Sequence, residues 1–312
     1  QIRLAMPVTT LNVFMSTTHV PFGSEYPYYT MFADPEYSGT SKFVMTTLRD
    51  PNEIIAQQEL PQDNFDLHQI VNLYDACVRR FDDEVGRIVQ HLDDCKLLQN
   101  TIIVIYSDHG LDLFENDTWG QGNTVIGNDV SAKTPLIIVD PRHPGRGGIN
   151  QVVRSVDLVP TLLDLVGIEG HGGIDGESLI NIIRDPGCRM DLDAFQETGI
   201  WVGRVGGMHP RHIRYPSILD LLEVPDKASG TLAIKPAYLP VILRGKDRMI
   251  RSGRWKLVYL ALTDGPLLAL FDLNEDPYCR HELSAQHPEV MATLTPRLMA
   301  WISADADLEQ GS

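Results

Sequence analysis

Between residues 66 and 106 the chain changes its hydrophobic period once. Ile70, Leu73, Cys77, Val78, Phe81, Val85, Ile88, Val89 and Leu92 recur at intervals of three and four. That single apolar stripe predicts a helix over 66–98, capped by Asn64 or Asp66. Asn100 ends the connection. TIIVIY (101–106) then runs straight into Ser107, Asp108, His109 and Gly110. A second unbroken apolar run, TPLIIVD (134–140), predicts another strand, and LNVFM (11–15) an earlier one. SVDLVPTLLDLVGI (155–168) predicts a helix begun near Ser155 and stopped at Gly167. Alternation of strands and helices predicts an α/β fold on a parallel sheet. Runs that are apolar at consecutive positions predict a sheet covered on both faces.

The segments between are turn-rich. Residues 23–64 read as excursion loops with one short helix, and 111–133 as a loop carrying Gly120, Gly122 and Gly127. PRHPGRGG (141–148) reads as a turn-rich segment, and 185–245 has no clear period. From about residue 248 the texture changes. MIRSGRWKLVYLAL and LLALFDLN predict antiparallel strands, and HPEVMATLTPRLMAWI (287–302) a closing helix. The expected organisation is a core over 1–245 and a C-terminal antiparallel subdomain over 246–312.

Charge narrows the function. The 26 Lys and Arg against 42 Asp and Glu leave a net charge of −16, the opposite of what nucleic acid requires. An anionic substrate would need a local positive feature, and a bound cation is the obvious one. The four cysteines (Cys77, Cys95, Cys188, Cys279) have no metal-ligand spacing and read as free thiols. No apolar run approaches the roughly 18 residues of a membrane span. The chain opens on Gln1 rather than Met, and residues 4–14 already read as fold interior, so the natural N-terminus is expected upstream.

In open α/β sheets ligands gather beyond the carboxyl ends of the strands. Asp108 and His109 follow such an end. A carboxylate and a neutral imidazole on adjacent residues can reach one divalent ion if the backbone turns, and Gly110 permits the turn. A bare Asp-His-Gly can equally be a turn in which Asp108 only accepts backbone hydrogen bonds.

An ordered set of segments tips the balance. NLYDACVRRFDDEVGRIVQHLDDCKLLQNTIIVIYSDHG (72–110), WGQGNTVIGNDVSAKTPLIIVDP (119–141), RSVDLVPTLLDLVGIE (154–169), DGESL (175–179), GRWKLVYL (253–260) and LFDLNEDPYCRHELS (270–284) resemble, in order, segments of the sulfatase family of the alkaline phosphatase superfamily. FMSTTHVPF (14–22) resembles the family segment that brings a His to the sulfate or phosphate group. The resemblance implies an alkaline-phosphatase-like three-layer α/β sandwich, with an incomplete mixed sheet here, a small C-terminal antiparallel-sheet subdomain and a closing helix. It implies that Asp108 and His109 are ligands of a divalent cation (Ca, Mn or Zn), and that His19 contacts the transferred group or leaving oxygen. Where many sulfatases place a Lys on the sulfate this chain has Gln121, which can donate a hydrogen bond but supplies no charge. Asn123 and Asn128 are secondary candidates, Lys133 reads as a surface charge, and Trp201, His209 and His212 are candidates for the mouth of the substrate pocket.

Two family features are absent from the 312 residues: the C/S-x-P-S-R motif that carries the nucleophile, and the paired acidic residues that complete the metal shell. Cys188, in DPGCRM, does not match. The expectation is therefore a piece of a longer hydrolase with an incomplete metal site, because hard divalent ions want six or more ligands and catalytic zinc three from the protein. Three functions remain open: cleavage of small-molecule or glycan sulfate esters; phosphoester or phosphonate hydrolysis, or phosphoglycerol transfer; and non-catalytic binding of an anion or partner.

Overall fold

The computed structural model describes residues 9–46, 50–121, 125, 129–143, 147–168, 172–185, 187–201 and 208–310. In chain order its helices and strands are α1 (Pro51–Gln58), α2 (Leu67–Asp94), β1 (Ile103–Tyr106), β2 (Asp112–Leu113), β3 (Trp119–Gly120), β4 (Leu136–Val139), α3 (Leu158–Leu165), α4 (Ile180–Arg184), β5 (Asp193–Glu197), α5 (Ile218–Leu221), β6 (Leu222–Glu223), β7 (Ala233–Ile234), α6 (Leu239–Arg244), β8 (Arg248–Ser252), β9 (Trp255–Leu260), β10 (Leu267–Asp272) and α7 (Pro288–Gln310). The chain divides into two compact units. The first comprises 1–46, 68–105 and 137–190, and the second 47–67, 106–136 and 191–312. No helix among the described residues is long and apolar enough to cross a membrane.

In the first unit α2 forms where the apolar stripe predicts it. Its N-terminal half is the buried half, through Ile70, Leu73, Ala76 and Cys77. Phe22 is fully buried and meets the Tyr74 ring edge-on at 5.5 Å. Gln69 Nε2 donates to the Ser41 carbonyl at 3.1 Å, and Arg80 pairs with Glu25 at 2.9 Å. These contacts tie residues 19–45 to the helix. The predicted helix at 155–168 is a 3-10 turn (Ser155–Asp157) continued by α3. It stops at Gly167, whose φ of +75° is the left-handed geometry that glycine adopts most readily.

The DGESL segment is fixed to this helix by one carboxylate. Asp157 is fully buried and accepts from Arg154 N at 2.8 Å, from the Arg154 guanidinium at 2.7 Å and from Glu177 N at 2.9 Å. A Cβ on Gly176 would lie 1.9 Å from the Val156 carbonyl oxygen, so only glycine allows this approach.

Two sequence expectations fail here. Residues 11–15 are not a strand, and Leu11 and Phe14 are each 82% exposed. Among the described residues this run pairs with no strand. Nor do the described residues cover both faces of the sheet formed by β1 and β4. It has two strands, and Ile137 and Val139 on β4 are 51% and 49% exposed.

The second unit is organised by an antiparallel sheet in the order β10–β9–β8–β5. Strand alternation gives it two faces. Ile250, Leu257 and Leu270 take Leu294 and Leu298 of α7, and Phe195 stacks on Trp301 at 5.1 Å. Met249, Val258, Leu260, Ala269 and Phe271 form the other face with Val125 and Ala132. Burying each of these large apolar side chains contributes about 1.5–3 kcal/mol. The short strands β2 and β3 pair as a hairpin, with Asp112 opposite Gly120 and Leu113 opposite Trp119.

Candidate active site

The turn after β1 is built by its own polar atoms. Ser107 Oγ donates to the His109 carbonyl at 2.6 Å, and His109 N donates to Asp108 Oδ1 at 3.0 Å. His109 Nδ1 faces the Gly110 carbonyl at 2.8 Å. A carbonyl only accepts, so Nδ1 carries a proton, and in the neutral tautomer that this fixes the lone pair is on Nε2. Nε2 lies 3.7 Å from Asp108 Oδ1. That is too long for a hydrogen bond. It fits two donors of one divalent ion, because bonds of about 2.0–2.2 Å place their donor atoms about 3–4 Å apart. The Asp108 side chain is 71% exposed and so accessible to an ion from solvent. The pair therefore fits a divalent cation, although no group of three or more His, Cys, Asp and Glu converges among the described residues.

Close backbone contact holds this turn. Gly110 N donates to Ser131 O and Leu111 N to Val130 O, both at 3.0 Å. A Cβ on Gly110 would lie 1.8 Å from Val130 O and 2.9 Å from Lys133 O. Glycine is thus required by the approach of residues 130–133. On the other side Trp119 is buried, its indole N–H donating to Gln57 O at 3.1 Å and Phe65 lying against it.

Within the hairpin Asp112 is fully buried and accepts from Asn116 Nδ2 at 3.0 Å. Burial first, and a hydrogen bond to the Glu115 carboxyl second, push Asp112 up to about 7.

The remaining candidates are distributed. Gln121 is exposed at the end of the hairpin, in the same unit as Asp108 and His109. Asn123 and Asn128 lie outside the described residues. Lys133 is exposed. His19 belongs to the first unit, in two successive turns closed by His19 N to Ser16 O at 3.0 Å and Phe22 N to His19 O at 3.1 Å. Its Nδ1 faces the Val20 carbonyl at 2.7 Å. The four cysteines are free thiols, and burial pushes Cys77 up to about 11. Trp201 and His212 are buried, Trp201 stacked on Tyr215 and His212 paired with Asp247.

One group escapes a motif reading. Asp129, in the glycine-rich loop, accepts from Lys256 Nζ at 2.7 Å and pairs with Arg251. Lys256 is 1% exposed, and Arg251 is its direct cross-strand partner. The signal was present in RSGRWK: a tight turn at Gly253–Arg254 sets Arg251 opposite Lys256, so two cations share one sheet face and require an anion.

The family model for sulfatases matches residues 10–168. Arylsulfatase K of Bos taurus is 27% identical over 240 residues, which cover 76% of this chain and 37% of that protein. Choline-sulfatase of Rhizobium meliloti is 26% identical over 297 residues, 91% of this chain and 48% of the relative. The chain spans less than half the length of both. Among solved structures, the phosphonate monoester hydrolase of Agrobacterium radiobacter superposes with a TM-score of 0.60 at 23% identity, over 92% of this chain and 55% of that one. That likeness establishes the alkaline-phosphatase-like α/β fold. With half of the sequence inside the family model, the chain belongs to the sulfatase family of the alkaline phosphatase superfamily.

Proposed function

We propose that Asp108 and His109 hold the divalent cation of a sulfate-ester hydrolase whose substrates are small-molecule or glycan esters, and that the nucleophile comes from outside these 312 residues. The observation that carries this reading is the 3.7 Å approach of His109 Nε2 to Asp108 Oδ1, with the ring tautomer fixed by Gly110 O. The bound ion supplies charge neutralisation for the oxygens of the transferred group. The imidazole nitrogen in the pair favours Mn or Zn over Ca. The reaction exchanges the ester S–O bond for one to water, releasing an alcohol and sulfate. His19 protonates the departing alkoxide. Since its Nδ1–H is engaged by Val20 O, Nε2 donates only when the ring is an imidazolium, so His19 acts as a general acid. Gln121 donates a hydrogen bond to the anionic group without adding charge.

A second reading, phosphoester or phosphonate hydrolysis, is supported by Gln121 in place of a lysine and by the nitrogen ligand. Two measurements test the scheme. Manganese titration followed by electron paramagnetic resonance should show one weak site per chain, lost in Asp108→Asn and in His109→Gln. An unchanged signal in both variants overturns the ligand assignment. Aryl sulfate and aryl phosphate assays with manganese or calcium should show no turnover by this chain alone; robust turnover of either overturns the external nucleophile, and the ester cleaved decides between the two readings.

A further inference from the structure

We propose that Lys256, on the C-terminal sheet, is a positioning residue for the Asp108–His109 turn, acting through Asp129 and the loop that follows it. The inference rests on the cation role of that turn for its functional meaning, and on contacts within the second unit for its mechanics.

Lys256 is almost fully buried, and Arg251 stands directly across the strand pair from it. Two like charges at opposed positions repel, and a buried ammonium without a counter-ion is costly. Asp129 answers both cations. Burial alone would push its carboxyl up, but Lys256 and Arg251 outweigh burial and hold it below the usual carboxylate range. Asp129 is therefore an anion fixed between two strands of a rigid antiparallel sheet.

What it fixes is the backbone beside the turn. The Asp129 carbonyl accepts from Ala132 N at 3.0 Å and from Lys133 N at 2.6 Å, which closes a compact turn over 129–133. The next two carbonyls, of Val130 and Ser131, accept from Leu111 N and Gly110 N. The space an ordinary residue needs at 110 is filled by Val130 O. Gly110 O in turn orients the imidazole of His109. Polar contacts, joined by the backbone of 129–131 and of Gly110, thus run from Lys256 Nζ to the His109 ring at Nδ1. Neither the strand end nor the glycine alone sets the direction of that ring. Outer partners of this kind orient metal ligands, and their loss commonly weakens the ion about 10–100-fold.

The test uses Lys256→Met, which keeps most of the volume and removes the charge. Amide hydrogen exchange is read residue by residue, with manganese affinity measured alongside. Exchange at Gly110 and Leu111 should rise about tenfold or more relative to the β8–β10 amides, and manganese affinity should fall about tenfold. Lys256→Arg should restore both, since it returns a cation to Asp129. Unchanged exchange at Gly110 and Leu111, or a rise only in step with the whole sheet, overturns the proposal and leaves Lys256 a general stability residue. If Lys256→Met does not fold, the double variant Lys256→Met with Asp129→Asn removes both buried charges, and the same loosening confined to 108–111 is required. If the unmodified chain binds no manganese while exchange responds as stated, the cation reading fails and the mechanical link stands.

Discussion

His212 Nε2 lies 2.8 Å from Asp247 Oδ1, while His212 Nδ1 faces the carbonyl of Ile213 at 2.7 Å. Both ring nitrogens face acceptors, so the ring satisfies both only as an imidazolium. The edge of the Trp201 ring system meets it at 4.5 Å, and Trp201 stacks on Tyr215. Asp247 Oδ1 also accepts from Ala261 N at 2.9 Å, so this pair pins the irregular stretch near residue 212 to the end of β9.

The pair makes stability depend on pH. Burial opposes charge on His212, but the Asp247 carboxylate outweighs it and the ring is raised above its ordinary value. A raised folded value means full stabilisation below the unfolded value of about 6.5, lost as pH rises through the folded value. His212→Leu leaves Asp247 buried without its partner and should cost about 3–5 kcal/mol near pH 6. The cost should shrink at higher pH. Urea denaturation across pH 5–9 measures it, and a pH-independent difference counts against an imidazolium.

Asp112 acts in the same direction through a different group. Its carboxyl is held up to about 7 by burial and then by Glu115. The neutral form is the one the hairpin prefers, so stability is complete below about pH 4 and declines as pH rises towards 7. Asp112→Asn should flatten that decline, although its single amide oxygen can accept on only one of the two sides where the carboxyl accepts. Thermal midpoints of both proteins between pH 4 and 8 are the measurement, and parallel curves would contradict the assignment.

Gly110→Ala should be costly beyond ordinary helix or turn preference. Its Cβ meets Val130 O at 1.8 Å, so either the 108–111 turn or the 130–133 turn must move. The expected destabilisation is on the order of 1–3 kcal/mol, with loss of manganese binding. Denaturant midpoints and the manganese resonance signal report the two effects separately. Retained binding would show that the close approach is not what aims His109.

In the first unit Asp157→Ala should unfold the DGESL segment first. The substitution leaves the Arg154 guanidinium, 19% exposed, and Glu177 N without their shared acceptor. A loss of about 3–5 kcal/mol is expected. Limited proteolysis should cut within 172–179 well before α2; cleavage of both at equal rates would refute a local anchor.

The elements legible in the sequence were those whose own period or caps decide them. α2, β1, β4 and the β8–β10 meander follow apolar spacing, and α3 ends at Gly167 because the backbone there turns left-handed. Residues 11–15 have the texture of a strand but pair with none among the described residues. Ile137 and Val139 have the texture of buried positions, yet no layer of the described residues covers them. Asp193–Glu197 reads as mixed and polar, yet pairs with β8 along its whole length, because tertiary hydrogen bonding overrides a weak local preference. The turn after β1 was legible from Asp-His-Gly in its setting. Its support through Asp129 was not, since an ion triad spanning a loop and two strands has no local spacing.

The cross-strand cations at 251 and 256 also set how this surface can drift. A lineage that replaces Asp129 with a neutral residue inherits two facing positive charges and must shed one of them. Substitutions at these three positions should therefore arrive together in related sequences, and the sheet keeps a memory of the loop laid across it.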